Sequence, residues 1–215
     1  MRKIIFLVIG LTMAMAVEAR SMREIWTSLP DSLLPYVDRN HRLEMVEFID
    51  MNLNGDVDNL FGGKSEMDTI TTDYIGLTLS QSSSMQIKRL PVAGGDSLLC
   101  VVKTYLGPAA ESEVVFYHQD WTPASVMLSL DSAGTARWMP RLLVKPDTMS
   151  EEHFVHYKTF ISPYIVGARL SPDDDNLELR LSLPMPVREE KQALEAMTPS
   201  FSLRWDAEKQ NFCAE

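Results

Sequence analysis

Four closely spaced strand patterns between residues 71 and 121 constrain the fold of this chain most. Residues 72–80, 85–90, 97–106 and 113–118 each have the alternation or the β-branched and aromatic content of a strand. Only short polar or glycine-containing segments separate them, such as Ala93-Gly94-Gly95-Asp96. Parallel strands need crossovers of a dozen or more residues. Connections this short therefore predict an antiparallel meander.

The third of these strands has an apolar run, Leu98-Leu99-Cys100-Val101-Val102. Five consecutive apolar residues predict a strand that is buried on both faces, and hence central in its sheet. The second strand instead alternates, with Met85 and Ile87 on one face and Gln86 and Lys88 on the other.

Helical patterns flank the meander. Apolar spacing predicts helices over residues 21–30 and 42–51, the second capped by Asn40, and a Thr148/Glu151 capping box predicts another through residue 160. A last helix is predicted over 188–197. Further strands are predicted over 126–130, 138–144 and 200–205, with a hairpin of 164–170 and 177–183.

These elements predict an α+β fold, an antiparallel β meander with helices packed on one face. The other face is predicted to be partly solvated or covered by the C-terminal hairpin. A weak internal repeat, from Tyr74-Ile75 to Leu90-Pro91 and from Tyr164-Ile165 to Leu183-Pro184, is consistent with two helix-plus-hairpin units or with chance.

The N-terminus predicts export. Arg2-Lys3 is followed by an apolar run, residues 4–17, and Val17-Glu18-Ala19 has the small residues that a signal peptidase requires. We expect residues 1–19 to be a signal peptide and residues 20–215 a single α+β domain. No later segment approaches about 20 apolar residues, so we expect no transmembrane segment after cleavage.

The net charge limits the classes of binding partner, and the cysteine content limits the disulfides that can form. The net charge is −10, and cleavage after Ala19 would remove two basic residues and one acidic residue. This balance argues against nucleic acid and anionic membrane surfaces as partners. Only Cys100 and Cys213 could form a disulfide, and a buried free thiol at Cys100 is an equal alternative.

The segment from Asp50 to Asp58 resembles a calcium-binding loop. Oxygen-bearing side chains occupy positions one, three, five and nine, Gly55 occupies position six, and an apolar residue occupies position eight. The calcium candidates are Asp50, Asn52, Asn54, Asp56 and Asp58. Position twelve, which needs a carboxylate, is Phe61, so a solvated helix end is the alternative.

Other motifs favour structural roles. Gly62-Gly63-Lys64-Ser65 resembles the end of a phosphate-binding loop but lacks its first glycine, so it predicts a turn. His153 and His156 lie three apart on a predicted helix without an evident third metal ligand. Asp173-Asp174-Asp175 is interpreted as a solvated hairpin tip. No catalytic or cofactor-binding motif is found.

Several segments together resemble an exported family of unknown function from Bacteroidales. They are residues 40–48, the Gly62–Ser65 turn, the hairpin at 73–84 and the strand at 179–184. The resemblance implies an exported protein and assigns no activity. It also implies a host that O-glycosylates Ser or Thr between Asp and an apolar residue, a pattern also common in caps and turns. It occurs at Ser32, Thr69, Ser97, Ser132 and Thr148.

Three hypotheses of function follow. The favoured one is a non-enzymatic periplasmic or cell-envelope protein of a Gram-negative bacterium that binds another envelope protein or a polymer. The second is an envelope hydrolase whose site is assembled from distant residues, with His118, Asp120 and Trp121 at a strand end as the first place to look. The third is a structural domain stabilised by calcium at Asp50–Asp58.

Overall fold

A computed structural model describes residues 20–183 and 190–214. The predicted signal peptide, residues 1–19, lies outside the described residues. The helices are α1 (Met22–Thr27), α2 (Arg39–Asp50), α3 (Ser132–Thr135), α4 (Met139–Leu142), α5 (Glu151–Ile161) and α6 (Lys191–Met197). The strands are β1 (Gly55–Asp58), β2 (Lys64–Ile70), β3 (Tyr74–Ser80), β4 (Ser83–Pro91), β5 (Ser97–Leu106), β6 (Ala110–Tyr117), β7 (Val166–Leu170), β8 (Asn176–Leu181), β9 (Phe201–Asp206) and β10 (Asn211–Ala214).

The α+β prediction and the meander are confirmed. Strands β1 to β6 form one antiparallel sheet in chain order, and β10-β9-β8-β7 form a second sheet. Gly94 and Gly95 have φ angles of 99° and 93° in the β4–β5 turn. Glycine adopts such angles without steric strain, so the predicted tight turn forms.

Strand β5 is buried on both faces, as predicted. Leu98, Cys100 and Val102 belong to one apolar cluster, while Leu99 and Val101 belong to another on the opposite face. Strand β5 also lies inside the sheet, as predicted, because it pairs with β4 on one side and with β6 on the other. Its two faces are buried because helices cover one side of the large sheet and the second sheet covers the other.

Helices α1 and α2 pack on the first face of the large sheet. Trp26 is fully buried there, and its indole Nε1 donates to the carbonyl of Arg42 at 3.0 Å. Helix α2 begins earlier than predicted, because Asp38 and not Asn40 accepts from the third backbone N–H of the helix. Helix α5 is likewise capped by Ser150, whose hydroxyl accepts from the His153 amide, and not by Thr148.

The second sheet packs on the other face of the large sheet. Leu177, Leu179 and Leu181 of β8 point into the shared core, as their alternation predicted. A helix precedes each proposed hairpin unit, although β1 and β2 stand between α2 and β3. The duplication therefore stays a prediction.

Two predicted strands between residues 126 and 144 were wrong. Residues 126–130 have no regular structure, and residues 138–144 include the short helix α4. The chain pairs with β6 only at Pro123 and Ala124 before it leaves the sheet. Asp131 then caps α3, and Pro140 lies in the first turn of α4, where its missing N–H is tolerated.

Other boundaries also differ from the predictions. Strands β1, β2 and β10 were not predicted, and β6 begins three residues earlier than expected. Helix α6 begins at Lys191, and the start of the predicted helix, residues 188 and 189, lies outside the described residues. In the described part of the chain, no helix is long and apolar enough to cross a membrane.

Candidate functional site

The five calcium candidates do not form a loop. Asp50 ends α2 and pairs with Arg23, and the last two candidates lie on β1. Asp56 pairs with Lys64 across the β1–β2 hairpin. Within the described ranges, no group of three or more His, Cys, Asp or Glu side chains is arranged to hold a metal. Calcium binding stays an untested prediction that this arrangement does not favour.

The strand end at His118 forms a tight turn. The amide of Trp121 donates to the His118 carbonyl at 2.9 Å, and Asp120 accepts from the Thr122 amide and hydroxyl. These bonds hold the pKa of Asp120 below its usual value. Trp121 is buried and donates to Ile25. Among the five clefts found along the described part of the chain, none is lined by His118, Asp120 or Trp121.

The remaining histidine and cysteine candidates are not brought together. His153 and His156 lie exposed on α5, against the Tyr157 ring. Cys100 and Cys213 are free thiols. Cys100 points into the core between the sheets, where burial raises its pKa. Phe212 also points into that core, so Cys213, as the next residue on β10, points away from it.

The Asp-Ser and Asp-Thr sites mostly lie on the surface. Ser32, Thr69, Ser132 and Thr148 are exposed, and Ser97 is half-buried. The flanking aspartates have structural roles in several cases. Asp31 pairs with Arg42, and Asp131 caps α3. Glycosylation of the five residues stays a prediction.

Gly62 and Gly63 lie in the β1–β2 turn, as predicted, whereas Lys64 and Ser65 begin β2. The turn is extensively hydrogen-bonded. The Asn59 carboxamide oxygen accepts from the amides of Phe61 and Gly63 at 3.1 and 3.2 Å. Its nitrogen donates to the Ser65 hydroxyl, which donates to a β3 carbonyl at 2.6 Å. Gly62 has a φ of 78°, a conformation that favours glycine.

This turn holds two large apolar side chains in solvent. The Phe61 side chain is 80% exposed and the Leu60 side chain is 65% exposed. The backbone of the turn is held in place, since the Leu60 amide donates to the Tyr36 carbonyl at 3.0 Å. Tyr36 and Phe61 have their ring centroids 5.2 Å apart. Because the backbone bonds fix the turn, Phe61 is presented in a defined position without being buried in the core.

Phe61, Tyr36 and Tyr105 line one wall of a cleft, which we call the aromatic cleft. Of five clefts lined by described residues it is the largest, at about 1030 Å³. Tyr105 is 53% exposed and pairs in register with Ser83. Burial raises the pKa of Tyr36, and a side-chain hydrogen bond with Ser83 partly offsets this.

Neutral hydrogen-bonding groups dominate the rest of the aromatic cleft. They are Asn54, Asn59, Thr78, Ser80, Gln81, Ser82 and Ser83. The charged lining residues are Asp56, Lys64 and Glu66. The ion pair of Asp56 with Lys64 lowers the pKa of the carboxyl and raises that of the amine, so both stay charged and nearly cancel.

The other clefts have different linings. One of about 530 Å³ lies between the sheets and includes the Lys191–Glu195 ion pair. Another, of about 650 Å³, follows β6 beside the exposed Met127. A third, of about 480 Å³, is lined by Asp73 and the Asp173–Asp175 turn. The aromatic cleft alone among these combines exposed aromatic rings with many neutral polar groups.

No sequence pattern directly indicated the aromatic cleft. Phe61 stood out only as the residue that breaks the calcium pattern, and Tyr36 and Tyr105 are far from it in the chain. The feature that could have indicated the cleft is the Gly62-Gly63 turn sequence directly after two large apolar residues, Leu60 and Phe61. A glycine turn that carries exposed apolar residues is unusual unless they have a partner.

A match along nearly the whole chain decides the family. The model of a family described as protein of unknown function (DUF3256) matches residues 14–210. The chain belongs to DUF3256. A search of curated proteins finds no match to this DUF3256 member.

A solved structure shares the fold of this DUF3256 chain. It is a domain of an uncharacterized protein from Porphyromonas gingivalis W83, with a TM-score of 0.66 and 17% identity. The match covers 90% of this chain and 97% of that chain. At this identity the likeness shows the fold alone. The predicted resemblance to a family of unknown function is confirmed, and the structure that shares the fold comes from the Bacteroidales. Export stays a prediction.

Proposed function

We propose that this protein is an exported, non-enzymatic binding protein of the Gram-negative cell envelope, and that it holds its ligand in the aromatic cleft. The observation that carries the proposal is Phe61, a large aromatic side chain kept 80% exposed by a hydrogen-bonded turn. Exposed aromatic side chains that line one cleft together with polar groups are typical of a ligand-binding site.

Export rests on the N-terminal sequence, and the packing of Arg20 is compatible with it. Cleavage after Ala19 would make Arg20 the first residue of the mature chain. Its guanidinium donates to the Gln119 carbonyl at 2.8 Å, and its own carbonyl accepts from Arg89 at 2.8 Å. A mature protein that begins at Arg20 would therefore keep its first residue anchored to the domain.

A binding role fits the cleft better than catalysis. Asp56 and Lys64 neutralise each other in an ion pair, and the remaining lining groups apart from Glu66 are uncharged. General acid–base catalysis uses a titratable group poised near neutral pH. The net charge of −10 supports the exclusion of nucleic acid and other polyanions as ligands.

An affinity capture experiment tests this proposal. The purified protein, its Phe61→Ala variant and a Phe160→Ala variant are immobilised and incubated with detergent-solubilised envelope from the native host. Phe160 is an aromatic control on α5 that is 39% exposed and outside the aromatic cleft. We expect wild type and Phe160→Ala to retain the same envelope material and Phe61→Ala to lose most of it. Equal retention by all three would overturn the proposal.

A further inference from the structure

We infer that the ligand of the aromatic cleft is a neutral saccharide chain. This inference rests on the proposed function and names its ligand class. A sugar ring presents two kinds of surface, and both have counterparts in the cleft. A pyranose ring has apolar C–H faces and a rim of hydroxyl groups.

Aromatic rings match the apolar faces of the sugar. Phe61 and Tyr105 are exposed by 80% and 53%, and Tyr36 lies against Phe61 with a centroid distance of 5.2 Å. Side chains from three separate segments thus present aromatic surface to one cleft. Aromatic rings offer a large, rigid apolar contact at low conformational cost.

Carboxamides and hydroxyls match the rim of the sugar. Several of these groups are already oriented by bonds within the protein. Ser80 and Ser83 share a hydrogen bond of 2.8 Å, and Asn59 is fixed by the β1–β2 turn. Serine hydroxyls both donate and accept, as sugar hydroxyls do, so each can still bond a ligand.

The charge of the cleft selects a neutral chain. Asp56 pairs with Lys64, which leaves Glu66 as the unpaired charge among the lining residues. A phosphorylated, sulfated or uronic acid polymer would meet a weakly negative cleft on a strongly acidic protein. A neutral saccharide avoids this repulsion.

An extended peptide is the alternative ligand, and the cleft offers it fewer unpaired backbone groups than a free sheet edge would. Peptides commonly add a strand to a free sheet edge. Strands β2, β3, β4 and β5 each contribute to the lining and are each paired on both sides. The edge strand β1 also contributes, through Asp56, but it is only four residues long and Asp56 is paired with Lys64. The cleft therefore offers mainly side chains, and free strand backbone only along β1.

A glycan array followed by calorimetry tests the inference. The array contains neutral oligosaccharides of about six sugars, including gluco-, manno-, galacto- and N-acetylglucosamine series, beside uronic acid and sulfated chains. We expect binding to at least one neutral series, weakened about tenfold or more by Phe61→Ala and unchanged by Phe160→Ala. Binding to no neutral chain, or binding that Phe61→Ala leaves intact, would overturn the inference.

The captured envelope material separates failure of this inference from failure of the proposed function. One outcome supports both the binding function and the saccharide inference. In it, retention of the material needs Phe61, the material survives protease, and acid hydrolysis releases neutral sugars. Phe61-dependent material that protease destroys supports a binding function and overturns the saccharide assignment. Phe61-dependent material rich in uronic acid or phosphate also supports a binding function, but it overturns the assignment of a neutral saccharide. Retention that does not depend on Phe61 overturns both.

Discussion

At the scale of single residues, two fully buried cations are held by oxygen atoms of the fold. Arg42 is 1% exposed and donates to the carbonyls of Val37 and Leu29 at 2.6 and 2.7 Å and to Asp31 at 2.7 Å. Lys88, equally buried, pairs with Asp73 at 2.8 Å. Buried charge is tolerated only with such partners, so both residues fix the segments that they contact.

Replacing Arg42 should destabilise the fold strongly. In Arg42→Leu, two buried carbonyls lose their donor, and we expect the free energy of unfolding to fall by about 3 kcal/mol. The matched control is Arg39→Leu, an exposed arginine on the same helix, which should change stability by less than about 0.5 kcal/mol. Urea denaturation measures both. Equal losses in the two variants would contradict the role assigned to Arg42.

Asp175 gives a prediction with a defined pH dependence. Burial raises its pKa, with Lys88 opposing the shift, so its ionised form is less favourable in the folded state than in the unfolded state. This penalty is present above the folded-state pKa and absent below the unfolded-state pKa. Asp175→Asn should therefore raise the free energy of unfolding at pH 7, and the gain should disappear near pH 3.

The control for this prediction is Asp173→Asn, at an exposed position in the same turn. It should change stability little at either pH. Thermal denaturation at pH 7 and at about pH 3 distinguishes the two variants. A gain for Asp175→Asn that is as large at pH 3 as at pH 7 would contradict the electrostatic account.

At the scale of elements, side chains of the large sheet accept hydrogen bonds from backbone amides along the outer edge of β7. The Ala168 amide donates to the Ser112 hydroxyl at 2.9 Å, and the Leu170 amide donates to the Gln86 carboxamide at 2.9 Å. Both side chains lie on the face of the large sheet that meets the second sheet. The two sheets are therefore joined by polar bonds as well as by their apolar core.

Removal of the Ser112 hydroxyl should weaken the contact between the sheets. In Ser112→Ala the Ala168 amide stays buried without an acceptor, and we expect a loss of about 1–3 kcal/mol. Ser202→Ala, at an exposed position on β9, is the control and should be nearly neutral. Chemical denaturation compares them, and a neutral Ser112→Ala would contradict the proposed bridge.

The elements that could be predicted are those with clear periodicity and turn chemistry. The β8 strand alternates leucine with polar residues, and β3, β4 and β5 are joined by short turns. Strands β1 and β2 were missed because Met67 is the one buried apolar residue of β2, while the calcium-like spacing favoured a loop. Their pairing comes from tertiary contact with β3 and α2, which short-range patterns do not encode.

At the scale of the whole molecule, one sheet separates two apolar cores. Trp26 and Trp121 lie in the core beneath the helices, and Trp138 and Trp205 lie in the core between the sheets. Consecutive residues of β5 point alternately into the two. A change on one face of β5 therefore acts on the backbone that supports the other.

This arrangement predicts cooperative unfolding of both cores. Leu99 is fully buried in the core beneath the helices, and Leu99→Ala should lower the free energy of unfolding by about 3 kcal/mol. Trp121→Phe biases the tryptophan fluorescence towards the core between the sheets, and Trp205→Phe biases it towards the core beneath the helices. The unfolding transition measured by fluorescence should be the same in the two backgrounds. Transitions that separate after Leu99→Ala would show that the cores unfold independently.

The aromatic cleft could not be predicted from the sequence for a topological reason. Tyr36 precedes α2, Phe61 lies in the β1–β2 turn and Tyr105 lies near the end of β5, so only the meander brings them to one cleft. Residue types common in cores gave no sign that three aromatic rings would share an exposed surface. Export and the acidic character of the surface, by contrast, are predictions that the sequence alone supports.

Photocrosslinking at position 61 tests the central claim, that the aromatic cleft holds an envelope ligand, most directly. p-Benzoylphenylalanine replaces Phe61 in one strain and Phe160 in another, and living cells are irradiated before the protein is purified. We predict a ligand adduct at position 61, absent at position 160, whose added mass is saccharide. No adduct at position 61, or the same adduct at both positions, would contradict the account.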